Sequence, residues 1–190
     1  MKKLMIAAAI AMMAIVSQAY DVKWGARNMY IPVATDAGTS QSGIIPTSGS
    51  KFGDTGMPAL TVSLFWVSTE GDVKIGDYTT TSAGQITQQV LASGTDSDLY
   101  KAMLADHGGD WKPQYHYTAT YATSDGVYTY DGTAAATSIL SNLANGNIAL
   151  TSDFKTTGSW NYTANAVPEP TSAMLLLLGV AGLALRRRRA

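Results

Sequence analysis

Apolar and polar residues alternate through the middle of the chain, whereas both ends are continuously apolar. The clearest alternation lies in residues 60–67, where every second residue is apolar and Thr61 and Ser63 point to the opposite side. Alternation with a period of two is typical of a strand with one buried face. It resumes at Val73 after a polar break, which predicts a hairpin that turns near Gly71. The residues predicted to share the buried face are Leu60, Val62, Leu64 and Trp66.

A second hairpin is predicted further along the chain. Residues 115–121 alternate between tyrosine or alanine and polar side chains, and Asp125-Gly126 supplies the turn before residues 127–130. Further strands are expected at residues 22–33 and 159–164, with a weaker one at 147–150. Residues 133–143 show no clear period, and residues 35–56, rich in Gly, Ser, Thr and Pro, are expected to form a long surface loop.

One helix interrupts these strands. Asp96 or Ser97 can cap its N-terminus, and Gly108-Gly109 ends it after an apolar stripe. The stripe comprises Leu99, Tyr100, Met103 and Leu104. Many short strands with regular turns predict a mainly β fold: a single antiparallel β-sandwich or barrel-like domain with one short helix.

The N-terminal end has the pattern of a secretory signal peptide. Lys2 and Lys3 precede an apolar run at residues 4–16, and Ser17-Gln18-Ala19 matches a small-residue cleavage site. The run is shorter than the about 20 residues that a membrane-spanning helix needs. We therefore expect residues 1–19 to be a signal helix that signal peptidase removes between Ala19 and Tyr20.

The C-terminal end predicts a membrane helix in which the basic residues follow the apolar run rather than precede it. Residues 173–185 are uncharged and apolar, and four arginines follow them: Arg186, Arg187, Arg188 and Arg189. Basic residues beside a membrane segment favour the cytoplasmic side, so the rest of the chain is expected outside. Two alternatives fit less well. A buried helix of a globular domain would show polar positions at a helical period, and a nucleic-acid-binding tail would not directly follow an apolar run in an exported chain.

The order of these C-terminal features resembles a known sorting signal. The motif Val167-Pro168-Glu169-Pro170, the apolar segment and the arginine cluster together resemble the PEP-CTERM family of exported proteins from Gram-negative bacteria that have an exosortase. The resemblance implies that Pro168, Glu169 and Pro170 are the recognition motif, with the arginines as the cytoplasmic stop. It also implies an exosortase partner, removal of the tail, and transfer to the cell surface or to an exopolysaccharide matrix.

This interpretation divides the chain into three parts: a signal peptide at 1–19, a β-rich extracytoplasmic domain at 20–166 and a sorting signal at 167–190. The β-rich domain, called the body below, carries seven Lys or Arg and thirteen Asp or Glu, a formal charge of −6. An acidic surface disfavours nucleic acid as a partner. The chain has no cysteine, which excludes disulfides and thiol chemistry. We predict no cofactor.

Side chains that could perform chemistry are few. The two histidines, His107 and His116, have structural explanations at a helix end and on a strand face, and residues 38–43 miss the G-x-S-x-G pattern by one position. A secreted hydrolase is therefore the weakest functional hypothesis. One group of aspartates could alternatively bind calcium, although it lacks the spacing of an EF-hand loop. That group comprises Asp96, Asp98, Asp106 and Asp110.

Tyrosines on the predicted second hairpin raise one further alternative. Tyr115, Tyr117 and Tyr121 share a strand face and could stack on sugar rings as a carbohydrate-binding surface, although such rows more often pack across strands. Taken together, the sequence favours a non-enzymatic surface or matrix protein with a structural or adhesive role. A carbohydrate-binding module is the first alternative.

Overall fold

Nine strands, one α-helix and one short 3-10 helix form the part of the chain that the computed structural model describes, residues 20–33 and 39–165. The strands are β1 (Asp21–Arg27), β2 (Gln41–Ile44), β3 (Thr61–Ser68), β4 (Gly71–Thr79), β5 (Ile86–Ser93), β6 (Gln114–Ala122), β7 (Gly126–Ala135), β8 (Ile148–Asp153) and β9 (Gly158–Ala164). The α-helix α1 spans Asp98–His107, and the 3-10 helix spans Leu140–Ala144.

The strands form two sheets that pack face to face. The larger sheet has the order β2-β9-β7-β6-β3-β4, and all of its pairs are antiparallel. The smaller has the order β5-β1-β8, in which β1 pairs antiparallel with β5 and parallel with β8. The mainly β prediction is confirmed, with the sandwich rather than the barrel-like alternative. The parallel pair is a feature that the antiparallel prediction did not include.

Both predicted hairpins are present. β3 pairs with β4 up to Ser68 and Gly71, and β6 pairs with β7 up to Ala122 and Val127. The predicted inner face of β3 is buried throughout, as the alternation predicts, and Trp66 at its end packs against His107 and Trp111. The strands predicted at residues 147–150 and 159–164 correspond to β8 and β9.

Three segments differ from the sequence prediction. The first strand ends at Arg27, because Asn28 adopts a left-handed backbone conformation with φ of 61° that no strand continues. The predicted surface loop contains β2 and the fully buried Phe52. Strand β5 is a strand that the sequence pattern does not predict, and residues 133–143 comprise the end of β7, a connection and the start of the 3-10 helix.

An aromatic core joins the two sheets. Trp24, on the central strand of the smaller sheet, lies 5.9 Å from Tyr117 and 5.6 Å from Tyr78 of the larger sheet, measured between ring centroids. Its indole Nε1 donates a hydrogen bond of 2.9 Å to the hydroxyl of Ser152 on β8. Both Trp24 and Ser152 are fully buried. The indole therefore holds β1, β8 and the larger sheet together.

Helix α1 begins and ends where the sequence predicted. Ser97 is the N-cap residue, but its hydroxyl donates to the carbonyl of Gly94 rather than accepting from the helix. Gly108 ends the helix with a φ of 78°, a conformation that glycine adopts without strain. Tyr100 and Met103 of the predicted stripe are buried, whereas Leu104 is exposed.

Two glycines make room for the rings of the core. Gly132 of β7 pairs directly with Gly158 of β9, and the tyrosine rings of Tyr117 and Tyr130 lie over this point. A Cβ atom added to Gly158 would lie 2.2 Å from the carbonyl oxygen of Asp131. Neither strand can separate there without breaking its ladder of hydrogen bonds.

We therefore expect Gly158→Ala to lower the free energy of unfolding by about 3 kcal/mol, at the upper end of what overpacking costs. Gly146→Ala is the matched control, because no atom lies within 4 Å of the added Cβ, and its effect should stay within about 0.5 kcal/mol. Urea denaturation of both variants measures the difference. Equal effects would show that the close approach of β7 and β9 is not a constraint.

Candidate functional site

The predicted sorting segment follows directly from the last strand of the sandwich. Strand β9 ends at Ala164, and two residues, 166 and 167, separate Asn165 from Pro168. β9 is an inner strand, paired with β2 on one side and β7 on the other. Trp160 and Tyr162 are buried. The strand before the motif is therefore an integral part of the core.

The end of β9 is fixed by the β6–β7 turn, residues 123–125. The backbone N–H of Asn165 donates to the carbonyl of Asp125 (2.8 Å), and its side-chain Nδ2 donates to the carbonyl of Ser124 (2.9 Å). The hydroxyl of Tyr162 donates to the Asp125 carbonyl as well (2.9 Å). Burial raises the pKa of Tyr162, which keeps the hydroxyl protonated as a donor. Three hydrogen bonds thus hold the last described residues on two turn carbonyls.

Gly126 allows this close approach. A Cβ at this position would lie 2.4 Å from the carbonyl oxygen of Thr163 and 2.5 Å from the ring of Tyr162. The sequence indicated Asp125-Gly126 as turn residues only. Their second role, as the surface that receives the end of β9, depends on pairing between segments about 40 residues apart, which no local pattern reveals.

Most of the predicted targeting residues lie outside the described part of the chain. These are the signal peptide with Ala19, the motif Val167, Pro168, Glu169 and Pro170, the segment 173–185, and the four arginines. Tyr20 is described: it is half-buried, directly precedes β1, and its carbonyl accepts a hydrogen bond from the N–H of Gly94. Within the described residues, no helix is long and apolar enough to span a membrane.

The predicted carbohydrate-binding face is wrong for two of its three tyrosines. Tyr115 and Tyr117 are fully buried on the inner face of β6, and Tyr121 is half-buried with its ring 5.0 Å from that of Phe52. The alternation correctly placed them on one face, but that face points to the other sheet. The rings of Tyr115 and Tyr117 are enclosed in the core and cannot stack on a sugar.

The hydroxyl of Tyr115 has no hydrogen-bond partner among the described residues, although it is buried. Burial raises the pKa of Tyr115 well above the ordinary value. A buried donor without a partner costs about 1 to 3 kcal/mol. We therefore expect Tyr115→Phe to raise the free energy of unfolding by about 1 kcal/mol.

The matched control for this variant is Tyr130→Phe. The hydroxyl of Tyr130 donates to the carbonyl of Phe154 (3.3 Å), so its removal should destabilise by about 1 kcal/mol. Urea midpoints of the two variants then shift in opposite directions. A destabilised Tyr115→Phe would show that its hydroxyl has a partner.

His116 lies on the outer face of the larger sheet between two carboxylates. Nδ1 donates to Asp72 of β4, Nε2 is 3.3 Å from Asp131 of β7, and the ring packs on Phe65 of β3. In a Ser-His-Asp triad one ring nitrogen faces a hydroxyl. Here both nitrogens face carboxylates, so the arrangement links β6, which carries His116, to β3, β4 and β7 and lacks a nitrogen directed at a nucleophile.

His107 fixes helix α1 to the end of β3. Nε2 donates to the carbonyl of Val67 (2.8 Å), and the ring stacks on Trp111 with 3.9 Å between centroids. The neighbouring Asp106 accepts hydrogen bonds from the hydroxyl and N–H of Thr69. The hydroxyl of Thr69 holds the pKa of Asp106 below its usual value. These contacts account for both side chains structurally.

Two of the four aspartates considered for calcium make other contacts, and Asp98 and Asp110 are exposed. Asp96 is fully exposed near Lys101, and Asp106 bonds to Thr69. Within residues 20–33 and 39–165, no three His, Asp or Glu side chains are grouped closely enough to hold a metal ion.

Comparison with known proteins identifies the C-terminal segment. No curated protein and no solved structure matches this chain. Residues 166–189 match the family model described as the PEP-CTERM protein-sorting motif. The matched segment begins directly after Asn165, the last described residue of the sandwich. The match indicates an exported protein that is sorted by an exosortase.

Proposed function

We propose that this chain is a non-enzymatic protein of the cell surface or extracellular matrix, with a structural or adhesive role. The observation that carries the proposal is the sorting motif at residues 166–189. Signal peptidase would remove residues 1–19, and the segment 173–185 would anchor the precursor until an exosortase acts on it. The released sandwich would then remain at the surface, with exopolysaccharide as its surroundings.

The described residues support a structural role. Both histidines and the acidic residues near them are engaged in contacts between strands or between helix and sheet. The aromatic residues are mostly directed into the core, and the body has a net charge of −6. An acidic sandwich whose aromatic side chains are mostly buried suits a module that remains dispersed in a hydrated matrix.

Intact-mass analysis of the protein from its native cells tests the proposal. Membrane, surface and medium fractions are separated first, and we expect the surface or medium form to lack both residues 1–19 and the arginines. A membrane form that retains Arg186, Arg187, Arg188 and Arg189 as the final product would contradict the proposal.

A pair of variants shows whether the motif is responsible. Replacing Pro168, Glu169 and Pro170 together with alanine should leave the tail attached and the protein in the membrane fraction. Glu70→Ala is the matched control: Glu70 is exposed in the β3–β4 turn and is the only glutamate of the body. It should be processed like the unmodified protein.

A further inference from the structure

The distance between the folded domain and the sorting motif is very short. Asn165 is held by the β6–β7 turn, and Pro168 follows after only two further residues. A fully extended chain covers at most about 3.6 Å per residue, so the Cα atom of Pro168 lies within about 11 Å of that of Asn165. Whatever binds the motif must come within that distance of the sandwich.

Unfolding the last strand does not offer an easy way to lengthen this connection. β9 pairs on both sides, and removing it would expose Trp160 and Tyr162 and open the core of the larger sheet. Burial of one large aromatic side chain contributes about 3 kcal/mol or more. The motif is therefore presented with β9 in place.

From this geometry we propose that the end of the sandwich formed by the β6–β7 turn is a docking surface for the exosortase itself. The inference rests on the proposed sorting of the chain. The turn carries two exposed side chains, Ser124 and Asp125, whose backbone carbonyls hold Asn165. Within the described part of the chain, the hydrogen bond of these two side chains is to each other. These side chains are therefore free to contact the enzyme.

The lipid surface is a less suitable partner for this turn. The predicted membrane segment begins at Ala173, eight residues after Asn165, which allows a separation of about 29 Å. The turn can therefore stay away from the bilayer while the motif is bound. It cannot stay away from the enzyme that binds Pro168, Glu169 and Pro170.

Photo-crosslinking in the native cells tests the docking surface. A p-benzoylphenylalanine is introduced in place of Ser124, and in a second variant in place of Glu70. Both positions are exposed turns, but β6 separates them by about 30 Å along the sheet. We expect an adduct between the precursor and the exosortase from position 124, at least tenfold above the adduct from position 70.

Equal adducts from the two positions, or none from position 124, would overturn the proposal when intact mass shows normal removal of the tail in both variants. A tail that is retained in the unmodified protein would instead refute the sorting function. The two failures are therefore distinguishable.

A linker insertion provides a second, independent test. Eight Gly or Ser residues between Asn165 and Ala166 add up to about 29 Å of reach. The contacts of Asn165 with the turn remain, so folding should be unchanged. We expect the adduct from position 124 to fall at least fivefold, whereas an unchanged adduct would show that the short spacing does not bring the turn to the enzyme.

Discussion

Trp24→Ala is expected to lower the free energy of unfolding by at least 4 kcal/mol. Truncating a buried tryptophan costs about 3 to 5 kcal/mol through lost burial and the cavity that remains. The change also removes the hydrogen bond that the buried Ser152 hydroxyl accepts from the indole N–H, which adds about 1 kcal/mol or more to the destabilisation. Domains of this size have total stabilities of about 5 to 15 kcal/mol. The variant should therefore be close to unfolding at ordinary temperatures.

The matched control is Trp111→Ala. Trp111 is half-buried and stacks on His107 at the surface end of α1, so its loss should cost only about 1 to 2 kcal/mol. Urea denaturation followed by circular dichroism measures both variants without relying on the removed fluorophore. A loss below about 2 kcal/mol for Trp24→Ala, or equal losses for both, would contradict the role of Trp24 as the link between the sheets.

Local patterns predicted the parts of the fold in which neighbouring segments pair. The β3–β4 and β6–β7 hairpins join strands separated only by short turns, so alternation and turn residues determine both. Strand β5 pairs with β1, about 70 residues earlier, and its Thr-Gln-Gln run shows no clear alternation. Its identity as a strand depends on a distant partner, which a short window of sequence does not contain.

Tyrosine explains the error about the carbohydrate-binding face. Its ring suits a core and its hydroxyl suits a surface, so alternation of tyrosine with threonine on β6 shows which residues share a face but not which face is inside. The packing of the two sheets decides which face is inside. Trp24 of the opposite sheet lies against Tyr117, and the ring centroid of Phe154 lies 4.1 Å from that of Tyr130. The sorting motif, by contrast, is a linear signal that the sequence shows directly. The hydrogen bonds that hold Asn165, just before the motif, on the β6–β7 turn could not be predicted from the sequence.

We expect alkaline pH to destabilise this protein strongly, because several of its tyrosines are buried in the core. Burial raises the pKa of Tyr115 and of Tyr130 well above the ordinary value of 10, and that of Tyr117 in the same direction. In the unfolded chain these groups lose protons near pH 10, whereas the folded protein retains them. Their contribution to stability is complete below pH 10 and is lost as the pH rises toward the folded pKa values.

Each such group lowers the free energy of unfolding by about 1.4 kcal/mol per pH unit above its unfolded pKa. Tyr115 and Tyr130 together therefore remove on the order of 5 kcal/mol by about pH 12. We expect urea midpoints to fall steeply between about pH 10 and pH 12, with the buried tyrosines ionising only as the fold is lost. Tyr115→Phe removes one of these groups, so it should flatten the pH dependence. Tyrosinate absorbance that rises fully near pH 10 while the fold persists would contradict the burial of these rings.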